Sequence, residues 1–243
     1  MIINVELAEQ LADQIQYELC QHEKNGQSYA QVRLVNANAL FKHAAVISEP
    51  PLIELDELVL RPWLLHPVYE WLSNGTSKFL AEIRPVVVLF LCFSGIHYSQ
   101  DEDAANKLNQ FFSFIQQTIY QHHGFVIKLT IDDKGSYVMC TFGVPSAYVA
   151  QMPLGLAAAL ELYQATTLFP FITSIQIGLA AGELLAGAFG NQSRAAYDLL
   201  GPAANLAARL MMRAQPGQIL MTGEIADQMK ERYQSRFVAK EEL

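Results

Sequence analysis

The alternation of apolar and polar positions is sparse over the first third of the chain and dense after it. Residues 86–93 form an unbroken apolar run of valine, leucine and phenylalanine around Cys92, the pattern of a strand covered on both faces. Residues 104–122 carry Leu108, Phe111, Phe112, Ile115 and Ile119 at spacings of three and four, which predicts a helix with one buried stripe. Strands are predicted over 125–131 and 137–142, with 132–136 in the hairpin between them. A second helix is predicted over 153–166, and strands over 172–179 and 183–189 read as another hairpin. Gly201-Pro202 marks a helix start, since proline has no N–H and the first turn of a helix needs none there. A strand over 218–221 and a helix over 224–232 close the unit. This order suits an antiparallel-rich sheet covered by helices, an α+β domain.

Ahead of that unit the signals are local. Residues 36–83 hold Pro50-Pro51, scattered apolar anchors and a short helix over 66–72 ending near Asn74-Gly75, and read as a linker that packs on the core, with Trp63 and Trp71 as buried staples. Residues 1–35 contain an echo of the other end of the chain: the nine residues from Ile3 to Leu11 lie over those from Met221 to Met229, with Glu6, Ala8 and Gln10 matching Glu224, Ala226 and Gln228. Each copy reads as a strand end running into a helix.

Composition narrows the function classes. Of 243 residues 51% are hydrophobic, enough for a packed core, and the formal charge of −8 without clustered Lys or Arg argues against a nucleic-acid partner. A few local cations still suffice for an ATP site on an acidic protein. Cys20, Cys92 and Cys140 lack CxxC spacing, so neither a disulfide framework nor a zinc site is indicated and a cytoplasmic setting is expected. The first residues lack the basic and apolar regions of a signal peptide, and the most apolar stretch, 85–96, is too short to cross a bilayer, so no membrane partner is expected.

The candidate chemistry lies between Ile177 and Met212. Asn205 and Arg209 are four residues apart on the helix that follows Gly201-Pro202, so an amide and a guanidinium share one face. Helix residues of these types are often simply solvated, and glycine-rich strands often mark places where backbones pass closely. The ordered run of Gly178 and Gly182, Gly187 and Gly190, Arg194, Tyr197-Asp198, Gly201, Asn205 and Ala208-Arg209 resembles the signature of the class III nucleotidyl cyclase catalytic domain. The resemblance covers residues 84–232, with 1–35 as the possible tail of a preceding cyclase domain, 36–83 as the linker and 233–243 as a C-terminal tail.

That resemblance implies a ferredoxin-like core and a reaction in which the 3′-hydroxyl of ATP attacks its own α-phosphate, giving cyclic AMP and pyrophosphate. In the family, two aspartates hold Mg²⁺ or Mn²⁺ at a site shared by two domains. Here the first-strand pattern falls on Phe90 to Gly95 and puts Cys92 where the first aspartate belongs, a poor ligand for a hard cation. The family's glycine-aspartate pair is missing from the hairpin, and Asp132 or Asp133 alone assigns no metal site. The hairpin Asp133-Lys134-Gly135 is similar to the second catalytic domain of the bicarbonate-regulated soluble adenylyl cyclases. By that resemblance Lys134 and Asp198 bind adenine, with Lys128 as the alternative lysine, Asn205 orients ribose and Arg209 stabilises the pentavalent phosphorus. Arg194 organises the loop before Asp198. The implied role is a half-site inactive alone, needing a second cyclase domain, in the same longer chain or another subunit, that brings the metal. The alternative is a degenerate domain that binds nucleotide or bicarbonate and regulates a neighbour.

Overall fold

The computed structural model describes residues 2–13, 15–21, 28–35, 56–74, 81–132, 135–147, 150–190 and 195–238. The chain separates into two units, Met1–Leu55 and Asp56–Leu243.

In the first unit, strand β1 (Ile2–Ile3) runs into helix α1 (Val5–Gln10), whose N-cap Asn4 accepts a hydrogen bond from the Leu7 N–H, satisfying a donor the helix start would leave bare. A hairpin of β2 (Ile15–Gln21) and β3 (Ser28–Val35) follows, and the sheet order is β1-β3-β2.

The second unit opens with α2 (Glu57–Leu60), a 3₁₀ turn (Arg61–Trp63) and α3 (His66–Ser73), the last close to the helix predicted there. Trp63 is not the buried staple its composition suggested. It is 83% exposed, on a short turn that starts at Arg61-Pro62 and follows the exposed Leu58, Val59 and Leu60. Trp71 is half-buried.

The rest follows as β4 (Glu82–Ser94), α4 (Ala104–Gln121), β5 (Gly124–Asp132), β6 (Gly135–Phe142), α5 (Gln151–Tyr163), α6 (Ala165–Leu168) and β7 (Ser174–Gly190). It closes with β8 (Ala195–Leu200), α7 (Pro202–Arg213), β9 (Gln218–Met221) and α8 (Gly223–Met229). From β4 to β7 the order β-α-β-β-α-β, with antiparallel strands in the spatial order β5-β6-β4-β7, is ferredoxin-like, and β8 and β9 both add to β7.

The apolar run in β4 has the cause its pattern implied. Val87, Leu89, Leu91 and Phe93 pack with Phe111, Ile115 and Ile119 of α4 and with Ile225 of α8, while Val86, Val88 and Phe90 on the opposite face pack with Ala203, Ala207 and Met211 of α7. A strand buried on both sides has no polar position to alternate with.

One expectation is overturned. Residues 174–190 are a single 17-residue strand, and its hairpin partner is β8, not a strand on the near side of Gly182. Gly182 is no turn: it pairs with Val86, and a Cβ on it would lie 2.9 Å from the Ala203 Cβ. The glycine makes room for a helix, the second of the two uses glycine has inside a strand pattern. The predicted 153–166 helix is likewise divided at Gln164 into α5 and α6.

Candidate functional site

Helix α7 carries the candidate residues Asn205 and Arg209. Gly201 is its N-cap and Pro202 its first residue, as the sequence indicated. Ala203, Ala207 and Met211, each four residues on, are buried against the sheet. The small alanines and the glycines beneath them let the helix backbone approach the strand closely. At its other end the Gln176 side chain of β7 donates to the Ala214 carbonyl, tying down an acceptor that a helix C-terminus leaves open.

This seating turns Asn205 and Arg209 outward. Both are exposed, and they line one cleft of about 640 Å³ with Gly182, Glu183, Gly201 and Leu206. Neither side chain makes a hydrogen bond or ion pair to another of the described residues. An acidic chain that leaves a guanidinium uncommitted at the mouth of a cleft offers it to an anion from outside. Glu183, which no motif position singled out, faces the same cleft.

The other named residues are distributed around the sheet. Asp198 lies on β8 opposite Gly187, and its Oδ1 accepts from the Leu199 N–H at 2.8 Å, which fixes the carboxylate's direction. Lys128 is exposed on β5 opposite Met139, so three strands lie between it and Asp198, and it does not reach the Asn205–Arg209 cleft. Lys134, Asp133 and Arg194 lie outside the described residues.

Cys92 stands on β4 between Tyr137 of β6 and Gln176 of β7. Burial pushes its thiol pKa up, and the Asp132 charge nearby adds to the rise, so it stays protonated through neutral pH. Asp132 accepts from the Tyr137 hydroxyl at 3.0 Å. A protonated thiol and one carboxylate already engaged do not fit a pair of divalent ions. Among the described residues no group of three or more His, Cys, Asp or Glu side chains is arranged to hold a metal.

The thiol's state is measurable. Alkylation of Cys92 by iodoacetamide, followed by peptide mass spectrometry, is expected to be slower at neutral pH than for an unhindered cysteine, because less of the thiol is ionised. The rate should climb only on raising the pH further, because the folded chain holds the proton longer, and Asp132→Asn should move the profile to lower pH. A free-cysteine rate at pH 7 would contradict the assignment.

No helix among the described residues is long and apolar enough to cross a membrane. The sequence profile of the adenylate and guanylate cyclase catalytic domain matches residues 83–243. Human adenylate cyclase type 10 is 25% identical over 175 residues, 71% of this chain but 11% of its own length. An uncharacterized protein of Mycobacterium tuberculosis is 30% identical over 169 residues, 66% of this chain and 30% of that protein. The chain thus spans between about a tenth and a third of the length of these relatives. Among solved structures, the adenylyl cyclase CyaB from P. aeruginosa superposes with a TM-score of 0.57 at 22% identity, over 63% of this chain and 84% of that one, a likeness of fold. Since the profile takes in more than half of the chain and the same sheet and helices recur, the chain belongs to the adenylate and guanylate cyclase catalytic domain family.

Proposed function

We propose that this chain is the half of an adenylyl cyclase that reads the base and clamps the phosphates, converting ATP to cyclic AMP and pyrophosphate together with a second cyclase domain that holds the metal. The observation that carries the reading is an asymmetry: Asn205 and Arg209 share an open cleft with no partners among the described residues, while Cys92 occupies the strand position of the missing carboxylate.

The residues divide the work by their chemistry. The Arg209 guanidinium donates to phosphate oxygens as negative charge gathers on the pentavalent phosphorus, an interaction that strengthens along the reaction and so lowers the barrier. Asn205 presents both a donor and an acceptor to the ribose, holding the 3′-oxygen in line with the α-phosphate. Lys134 donates to adenine N1 and the Asp198 carboxylate accepts from the exocyclic amine, a pattern that guanine presents reversed. The residues that would hold divalent ions belong to the second domain, and ions bound there would supply neutralisation of the triphosphate charge.

Mixing decides between this role and a regulatory one. The chain alone should form little or no cyclic AMP from ATP with Mg²⁺ or Mn²⁺. Combined with a cyclase domain that has both metal aspartates but a disabled Asn-Arg pair, it should give product, with ATP preferred to GTP. Nucleotide binding without turnover in such pairings would instead assign it to regulation by nucleotide or bicarbonate.

A further inference from the structure

Two tyrosines hold the end of the β5–β6 hairpin from opposite faces of the sheet. Among the described residues β5 is the last strand in the order β5-β6-β4-β7-β8, so its end at Asp132 has a neighbouring strand on one side only. Backbone pairing frays most easily at such a strand end. Asp132 pairs there with Gly135, and Lys134 is the next residue before Gly135 in the sequence.

On the face toward α4, Ser136 stands across from Phe93, which packs on Phe111, and is 6% exposed. A hydroxyl so deeply buried needs a partner. It has one in the Tyr98 hydroxyl at 2.6 Å, supplied by the connection from β4 to α4 and not by the sheet. That connection is itself fixed. Ile96 is buried in the main core, the His97 carbonyl accepts from the Gln100 and Asp101 N–H groups, and the Asp101 carboxylate accepts from Lys107 of α4 at 2.6 Å. On the other face Tyr137 stands across from Cys92, lies against the Phe90 ring with centroids 6.2 Å apart, and donates its hydroxyl to Asp132 Oδ2 at 3.0 Å. A Cβ on Gly135 would lie 3.7 Å from the Cys92 Sγ, so the thiol floors this same end. Tyr98 thus holds β6 at Ser136, and Tyr137 holds β5 at Asp132.

We propose that Tyr98 and Tyr137 are positioning residues for nucleobase selection, fixing the end of the β5–β6 hairpin without touching the substrate. This rests on the reading that Lys134 donates to adenine N1, and deepens it. A lysine ammonium is a rotatable point donor, and guanine offers it an acceptor of its own in O6. Its chemistry alone therefore does not choose between the purines. Selection depends on where the donor is held, and about 1 Å of freedom is enough to lose it. Asn205 and Arg209 ride on α7, on a different part of the sheet, so loosening the hairpin weakens base binding and spares the step at phosphorus.

The test pairs the full chain with a cyclase domain that has both metal aspartates and a disabled Asn-Arg pair. Tyr98→Phe should raise KM for ATP about tenfold, leave kcat within about twofold and lower the ATP-over-GTP preference in kcat/KM about tenfold, the split expected when base binding is lost and the chemistry is not. Ser136→Ala should do the same, and combining the two should add nothing, because both remove one bond. Tyr137→Phe should act in the same direction. In both tyrosine variants the Gly135 and Ser136 amides should exchange about tenfold faster by hydrogen–deuterium exchange. Ile115→Val, a core change on α4, should lower the melting temperature and leave the ATP-over-GTP preference unchanged, which separates positioning from stability. Three results would each overturn this inference while the proposed activity stands: a relaxed preference in Ile115→Val, additive effects of Tyr98→Phe and Ser136→Ala, or an unchanged preference in either tyrosine variant when Lys134→Ala relaxes it. An unchanged preference in Lys134→Ala would instead remove the base reading beneath it, and the inference with it.

Discussion

Arg209→Ala is expected to lower the turnover of the assembled cyclase pair by about 10²- to 10³-fold, the loss typical of removing one preorganised donor to developing negative charge. The fall should appear in kcat with KM for ATP little changed, because the guanidinium is most needed once charge has built up at phosphorus. Its exposed position makes the experiment clean: the side chain lines the cleft and bonds to no described residue, so the melting temperature should not move. Arg209→Lys should recover part of the rate, since a point charge replaces a planar fork. Unchanged turnover in the alanine variant would refute the assigned role.

Gly178→Ala is expected to damage both stability and activity, although it adds a single methyl group. That Cβ would lie 2.2 Å from the Ala207 carbonyl oxygen and 2.3 Å from the Met211 nitrogen, both backbone atoms of α7, which cannot rotate away as a side chain would. The helix must lift by about 1 Å, and such overpacking costs roughly 1–3 kcal/mol. For a chain of this size that is a melting-temperature drop of roughly 2–12 °C. Displacing Asn205 and Arg209 by about 1 Å should reduce turnover about 10²-fold. Gly223→Ala is the control: nothing lies within 4 Å of the added carbon, so stability should stay within about 0.5 kcal/mol. If the two variants melt together, close packing of α7 on β7 is not what holds the site.

The parts of this fold that were legible in the sequence are those where one physical demand acts alone. Two-sided burial wrote β4 as a continuous apolar run, and one-sided burial wrote α4 as a stripe through Phe111, Ile115 and Ile119. The Asn205–Arg209 pairing was readable because helical spacing decides it. The hairpin break read between 179 and 183 does not exist because a glycine in a strand pattern answers two demands, turning a chain and admitting a neighbour, and only the position of Ala203 tells them apart. Trp63 was misread because side-chain size says nothing about whether a surface is at hand to cover it. Glu183 escaped notice since its place at the cleft depends on β7 and α7 meeting, a tertiary fact with no local trace.

The length of β7 has a mechanical consequence. One uninterrupted strand pairs with β9 near its start and with β8 near its end, and α7 is seated on its middle. Asp198, Asn205 and Arg209 therefore ride on a common spar. Any closure of the cleft about a nucleotide should carry these three groups as a rigid block, with the hinge in the partner or at the interface between the domains.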